Sequence, residues 1–310
     1  MRYQFTFRSR AALRALLAAA AIAAVTTLAG CGGSPRISRD MQPLSERTLA
    51  ELKARKMDKE SPILIRVFKE ESELEVWKQD DSGRFAPFRT YPICRWSGEL
   101  GPKIKTGDRQ APEGFYTITP GLMNPNSSQY LSINTGFPNA YDRANARTGS
   151  YLMIHGGCSS AGCYAMTDEQ IAEIYALARE AFYGGQASFQ LQAYPFRMTA
   201  LNMARHRNSP NMAFWRMLKQ GHDHFEVTHL EPRIDVCERR YVFDAETTER
   251  FSPADRCPFY RVPEEIAALV AEKQRRDEIE TAELINRGMP TMPAAIGADG
   301  GTNPAFAAAR

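Results

Sequence analysis

The stretch Tyr151 to Met166, YLMIHGGCSSAGCYAM, constrains this chain more than any other. Tyr151, Leu152, Met153 and Ile154 suit a buried strand. From His155 the composition changes within one step, to Gly156, Gly157, Cys158, Ser159, Ser160, Ala161, Gly162 and Cys163. A run so rich in Gly and Ser is not held by its own side-chain packing, and it permits tight turns and close backbone approach. Beyond it the spacing becomes helical. Thr167 with Gln170 fits a capping box, Ile171, Ile174, Tyr175, Ala178 and Phe182 share one face, and Gly184-Gly185 ends the run. His155 and Cys163 thus sit on a loop between strand and helix, where reactive groups are commonly carried. An imidazole can take the proton of a neighbouring thiol, and the thiolate is the better nucleophile. A helix starting just after Cys163 would lower the thiol pKa if its axis pointed correctly.

Plainer readings compete. His155 can be a core histidine with the cysteines buried or paired. A zinc site on His155, Cys158 and Cys163 lacks a matching second pair, and no C-x-x-C occurs. His222 and His224 flank Asp223, but no third metal ligand is spaced with them. No metal site is expected.

The first 30 residues read as an export signal. Arg2, Arg8, Arg10 and Arg14 precede an apolar run from Ala15 to Ala29, too short and alanine-rich for a lasting span. It ends Leu28-Ala29-Gly30-Cys31, which resembles a bacterial lipoprotein box with Cys31 as the lipidated residue. Gly32 rather than aspartate follows, which by analogy implies an outer-membrane address. The expected location is the periplasm, with the chain held to the membrane by its lipid. The leader holds four of the 39 basic residues and none of the 36 acidic ones, so the remainder is nearly neutral. No basic stripe argues for a nucleic-acid partner.

Export implies an oxidising compartment. Among Cys31, Cys94, Cys158, Cys163, Cys237 and Cys257, a disulfide between Cys237 and Cys257 is the favoured pairing. Cys158 with Cys163, as a regulatory bridge, and Cys94 with Cys158 stay open, since spacing does not settle pairing.

Along the chain, residues 31–60 read as a polar tether with a short helix from Glu46 to Met57. The globular body starts near Ser61, with strands at Pro62–Phe68, Leu74–Trp77, Phe85–Arg95, Phe115–Ile118 and Tyr130–Asn134. Phe189–Phe196 and Phe225–Thr228 read as further strands. Asn211–Leu218 and Pro263–Ile285 read as helices, and 288–310 as a mobile tail.

Several segments together resemble the YkuD-type L,D-transpeptidase domain, in its YafK-like branch. They are LEVW at 74–77, APEGFY at 111–116, GFPNAYDR at 136–143, MIHGGCSSAGCYAMT at 153–167 and PFRMT at 195–199. The resemblance spans about Pro62 to Thr228. It implies a mainly β fold with packed helices: a curved β-sandwich catalytic domain over 61–230, then an extension over 231–287 with the disulfide and a helix. The chain departs from the commonest family pattern. Ser160-Ala161-Gly162-Cys163 lacks the inner histidine, and the interval from outer histidine to cysteine is short. His155 matches the outer histidine and must carry the proton transfer alone.

The resemblance further implies attack by Cys163 on a diaminopimelate–D-alanine bond of a peptidoglycan stem peptide, with no cofactor. His155 would be the base, and the amides of Gly162 and Cys163 the oxyanion donors. Tyr141, Arg143, Ser160 and Arg197 are candidate substrate contacts. The thioester would pass to another stem peptide, to an outer-membrane lipoprotein or other wall-linked protein, or to water. Water as acceptor gives a hydrolase that releases diaminopimelate-linked partners. A third reading is an inactive, lipid-anchored wall-binding protein.

Overall fold

The computed structural model describes residues 37–292 and 300–307. The residues read as an export signal, and Cys31, lie outside the described residues. A first helix, α1 (Glu46–Ala54), is capped by Ser45, whose hydroxyl accepts the Thr48 amide.

The first sheet is built on β1 (Ile63–Phe68), whose six residues are all buried. Its alternation explains why. Ile63, Ile65 and Val67 enter the main core with α3 (Asp168–Tyr183). On the other face Leu64 packs with Phe225, and Arg66 pairs with Glu226 at 2.7 Å. Both partners lie on α5 (Met212–Thr228). A strand covered by helices on both faces reads as a continuous apolar run. β2 (Glu73–Gln79) and β3 (Phe85–Pro92) extend the sheet on one side, and β10 (Phe189–Tyr194) and β5 (Gly114–Ile118) on the other. The β1–β10 pair is parallel and the others antiparallel.

The second sheet carries the glycine-rich loop. Its order is β4 (Arg95–Trp96), β9 (Tyr164–Ala165), β8 (Met153–His155), β7 (Ser132–Asn134) and β6 (Met123–Asn124). β8 and β9 are parallel. Helix α3 packs on β7 and β8 as well as β1. Its capping box between Thr167 and Gln170 is present. A fully buried ion pair pins the loop before β5: Lys69 Nζ lies 2.9 Å from Glu113 and donates to the carbonyls of Glu99, Gly101 and Ala111. Glu113 in turn accepts the Trp215 indole N–H at 2.9 Å.

The expectation of a mainly β, curved sandwich is corrected. Both five-stranded sheets are open, with β3, β5, β4 and β6 as their terminal strands, and helical residues outnumber strand residues among the described ones. Much of the excess comes from the C-terminal third, with α5 and α6 (Glu264–Asn286). Phe225–Thr228 is the end of α5, not a strand. Gly221 does not break that helix; a Cβ there would lie 2.3 Å from Phe243 and 2.5 Å from Phe115, so its role is close packing. A two-stranded ribbon, β11 (Ile234–Cys237) with β12 (Arg240–Phe243), follows, and Cys237 is bonded to Cys257. In the stretch read as a mobile tail, Gly301 pairs with Trp96 and the Asn303 amide donates to Ile93 O at 3.0 Å. No helix among the described residues is long and apolar enough to cross a membrane.

Candidate active site

Sheet register brings His155 and Cys163 onto one face. Ile154 pairs with Tyr164 and His155 with Ala165 in the parallel β8–β9 ladder. Continuing that register by one residue sets Cys163 beside Met153, and the Met153 N–H lies 3.4 Å from Cys163 Sγ. Met153 and His155 are two residues apart on a strand, so their side chains point the same way. Cys163 therefore shares its face with His155.

His155 is buried, and its Nδ1 faces the Gly156 carbonyl oxygen at 2.5 Å. A carbonyl only accepts, so Nδ1 carries the proton and the Nε2 lone pair is left to act as base. No carboxylate pairs with His155 among the described residues, and burial lowers its pKa. Across the ladder, Ser132 is paired in register with His155 and its buried hydroxyl has no hydrogen-bond partner.

Cys163 is half-buried and is the free cysteine among the described residues. Burial pushes its thiol pKa up, opposed by the Met153 N–H and the positive charge of Lys103. Both shifts favour the uncharged form of the group concerned. Helix α3 begins beyond β9 and is capped by Thr167, as its spacing implied, so β9 stands between Cys163 and the helix. Cys158, in the same loop, is bonded to Cys94 rather than to Cys163.

The amides expected to serve an oxyanion have internal partners. Gly162 N donates to Ser97 Oγ at 2.5 Å, and Cys163 N donates to Ser160 Oγ at 3.1 Å. Ser160 Oγ lies 2.7 Å from Cys163 O and 3.0 Å from Ser97 Oγ, and Ser97 donates to Arg109 O at 2.8 Å. Two serines thus hold the turn at Cys163. Segment 94–97 grips the loop covalently at Cys158, through the β4–β9 ladder, and through Ser97.

The other expected contacts go elsewhere. Tyr141 is 6% exposed, stacked on Tyr241 at 4.4 Å and on Phe214 at 5.8 Å, with Arg147 over its ring. Arg197 is paired with Glu73 and Glu75 on β2 and covers Phe68. Arg143 is exposed and donates to Pro138 O. His222 and His224 face different carboxylates, Asp223 with Glu226 and Asp244 respectively. Sequence reasoning missed Ser97 and Lys103, which register and loop packing bring to the site from over fifty residues away. It also read Tyr151 as a strand residue. Tyr151 instead lies outside β8, at φ +57°, with its ring 76% exposed.

Residues 62–183 match the L,D-transpeptidase catalytic domain, YkuD. YafK of Escherichia coli strain K12, named as a candidate L,D-transpeptidase, is 44% identical over 204 residues, covering 66% of this chain and 82% of the relative. The protein of the same name from E. coli O157:H7 gives the same figures. Among solved structures, a K307A mutant of the helical cell shape determining protein Pgp2 from Campylobacter jejuni shares 20% identity at a TM-score of 0.36. That match covers 53% of this chain and 57% of the other, a likeness too slight to bear on fold or function. On its identity to YafK and the matched catalytic domain, the chain belongs to the YkuD-type L,D-transpeptidase family, in its YafK-like branch.

Proposed function

We propose that this family member acts on peptidoglycan stem peptides by cysteine acyl transfer through a thioester on Cys163. Activity on peptidoglycan follows from the family. The observation that carries the residue assignment is the His155–Gly156 hydrogen bond. It fixes the tautomer with Nε2 unprotonated, on the face shared with a thiol that no disulfide consumes.

His155 Nε2 takes the Cys163 proton as Sγ attacks the carbonyl before the terminal D-alanine. The C–N bond then breaks, and the imidazolium gives its proton to the departing amine. An incoming amine or water loses its proton to His155 and attacks the thioester; the C–S bond breaks and the imidazolium returns the proton to Sγ. Because burial favours the uncharged form of both groups, proton transfer accompanies attack. The Gly162 and Cys163 amides serve the oxyanion once their serine partners yield. The enzyme works in the periplasm, held to the outer membrane by lipid on Cys31, and its acyl acceptor is a second stem peptide or a wall-linked protein.

The test is incubation of the purified mature protein with defined tetrapeptide muropeptides and with protein-linked muropeptides. New cross-links with D-alanine release establish transfer. Release of linked peptide without new cross-links assigns the same site to hydrolysis, and no change in either substrate contradicts the proposal.

A further inference from the structure

Residues 151–153 form the wall beside the sulfur. The Tyr151 carbonyl lies 3.8 Å from Cys163 Sγ, and the Met153 N–H lies 3.4 Å from it. Leu152 Cδ2 lies 3.1 Å from where a Cβ on Gly162 would stand. Tyr151 itself adopts φ +57°, a left-handed conformation that is costly for an aromatic residue, and such outliers cluster at functional sites. The conformation turns its carbonyl toward the sulfur while the side chain stays 76% exposed. Its ring has no aromatic or hydrogen-bond partner among the described residues. A second exposed apolar residue is tied to the segment that leads into Tyr151. Ile104 is 52% exposed, and its carbonyl accepts the amide of Thr148, three residues before Tyr151. A large side chain left in water, on a residue whose carbonyl approaches Cys163, adds nothing to the core. Apolar surface of that kind gains when a ligand covers it.

We propose that Tyr151 is a specificity-determining residue for the acyl donor, its ring covering the aliphatic part of the stem peptide next to the scissile carbonyl. This rests on the reading of Cys163 as the nucleophile. The occupant is an extended peptide with small or unbranched apolar side chains, such as the alanine methyl and the diaminopimelate methylene chain. The carbonyl near Sγ is contributed by the backbone, so side-chain replacement separates the ring from the sulfur's surroundings.

The experiment measures protection of Cys163 from iodoacetamide by a stem tetrapeptide, alongside D-alanine release. Tyr151→Asn removes the ring and keeps a residue that tolerates the left-handed conformation. It should raise the half-protecting concentration and KM about tenfold, a loss of about 1.4 kcal/mol of binding, while kcat and the alkylation rate without peptide hold. Tyr151→Phe should restore the wild-type values. Unchanged protection in Tyr151→Asn overturns the proposal. A parallel fall in kcat and in the peptide-free alkylation rate also overturns it, because the residue would then be shaping the site rather than binding. If the wild type is protected by peptide but releases no D-alanine, the acyl-transfer reading fails while the protection data still decide the role of Tyr151. If peptide fails to protect the wild type at any concentration, the Tyr151 proposal fails too.

Discussion

His155 and His222 are both buried histidines whose protonation burial disfavours, yet their surroundings differ in kind. His222 lies in a closed network. Its Nδ1 is 3.4 Å from Asp223 and its Nε2 3.6 Å from Glu226. Asp223 also pairs with Lys219 at 2.7 Å, and Glu226 with Arg66. His155 has one hydrogen-bond partner, a backbone carbonyl, and lies on the strand beside the free Cys163. By charge count the α5 cluster looks more like chemistry. A catalytic group, though, needs a lone pair or proton not yet committed, whereas both ring nitrogens of His222 face carboxylates. The spare valence, not the density of ionisable groups, distinguishes the site.

That contrast breaks if activity and stability respond alike in the two regions. The largest effect is expected at His155. His155→Ala should slow D-alanine release ~10²–10⁴-fold, the usual worth of general acid–base help, with little change in melting temperature. Asp223→Asn should do the reverse. It leaves Lys219 and Lys273 with Asp277 as their remaining carboxylate, costing about 1–3 kcal/mol in a denaturant titration, with kcat per folded molecule unchanged. Equal loss of kcat in both variants would dissolve the distinction.

Ser97→Ala sharpens the comparison within the site. It leaves the Gly162 N–H with only the 3.4 Å contact to Ser160, at a cost of ~1–3 kcal/mol. It should slow acylation roughly 10- to 100-fold by loosening the nucleophile's turn, read by single-turnover kinetics. Unaltered acylation would make Ser97 a fold residue only. The pH profile carries the smallest effect. His155 must be neutral to act, and burial lowers its pKa, so kcat/KM should stay level on acidification to below 6.5 before falling. Alkylation of Cys163 in the free enzyme should rise only above 9.0, since burial raises its pKa. A thiolate plateau reaching down to pH 6 would mean a preformed ion pair instead.

The legible part of the site was local. His155, the Gly/Ser loop, Cys163 and the Thr167 capping box lie in one stretch, and their chemistry is written in residue type. Ser97 and Lys103 were illegible because β4–β9 pairing and loop packing carry them in, and a serine or lysine before a turn has no distinctive spacing. Tyr151 was misread because an aromatic before Leu-Met-Ile fits a strand, and nothing local announces a left-handed residue that is not glycine. Tyr141 and Arg197 were drawn to the site by their motifs, but an aromatic stack and two carboxylates claim them. In the fold, Gly221 concealed the length of α5, because its reason is contact with Phe243 and Phe115 from distant segments. The short strands and long C-terminal helices then shifted the balance away from β.

The central claim is that the uncommitted lone pair on His155 activates Cys163 as the acyl-accepting group, and mass spectrometry of a trapped intermediate tests it most directly. Wild-type protein mixed with a stem tetrapeptide and quenched in acid should carry one acyl group, on Cys163, in step with D-alanine release. Cys163→Ser should carry none, and His155→Ala should acylate much more slowly. An acyl group on another residue, or full D-alanine release by Cys163→Ser, would contradict the account.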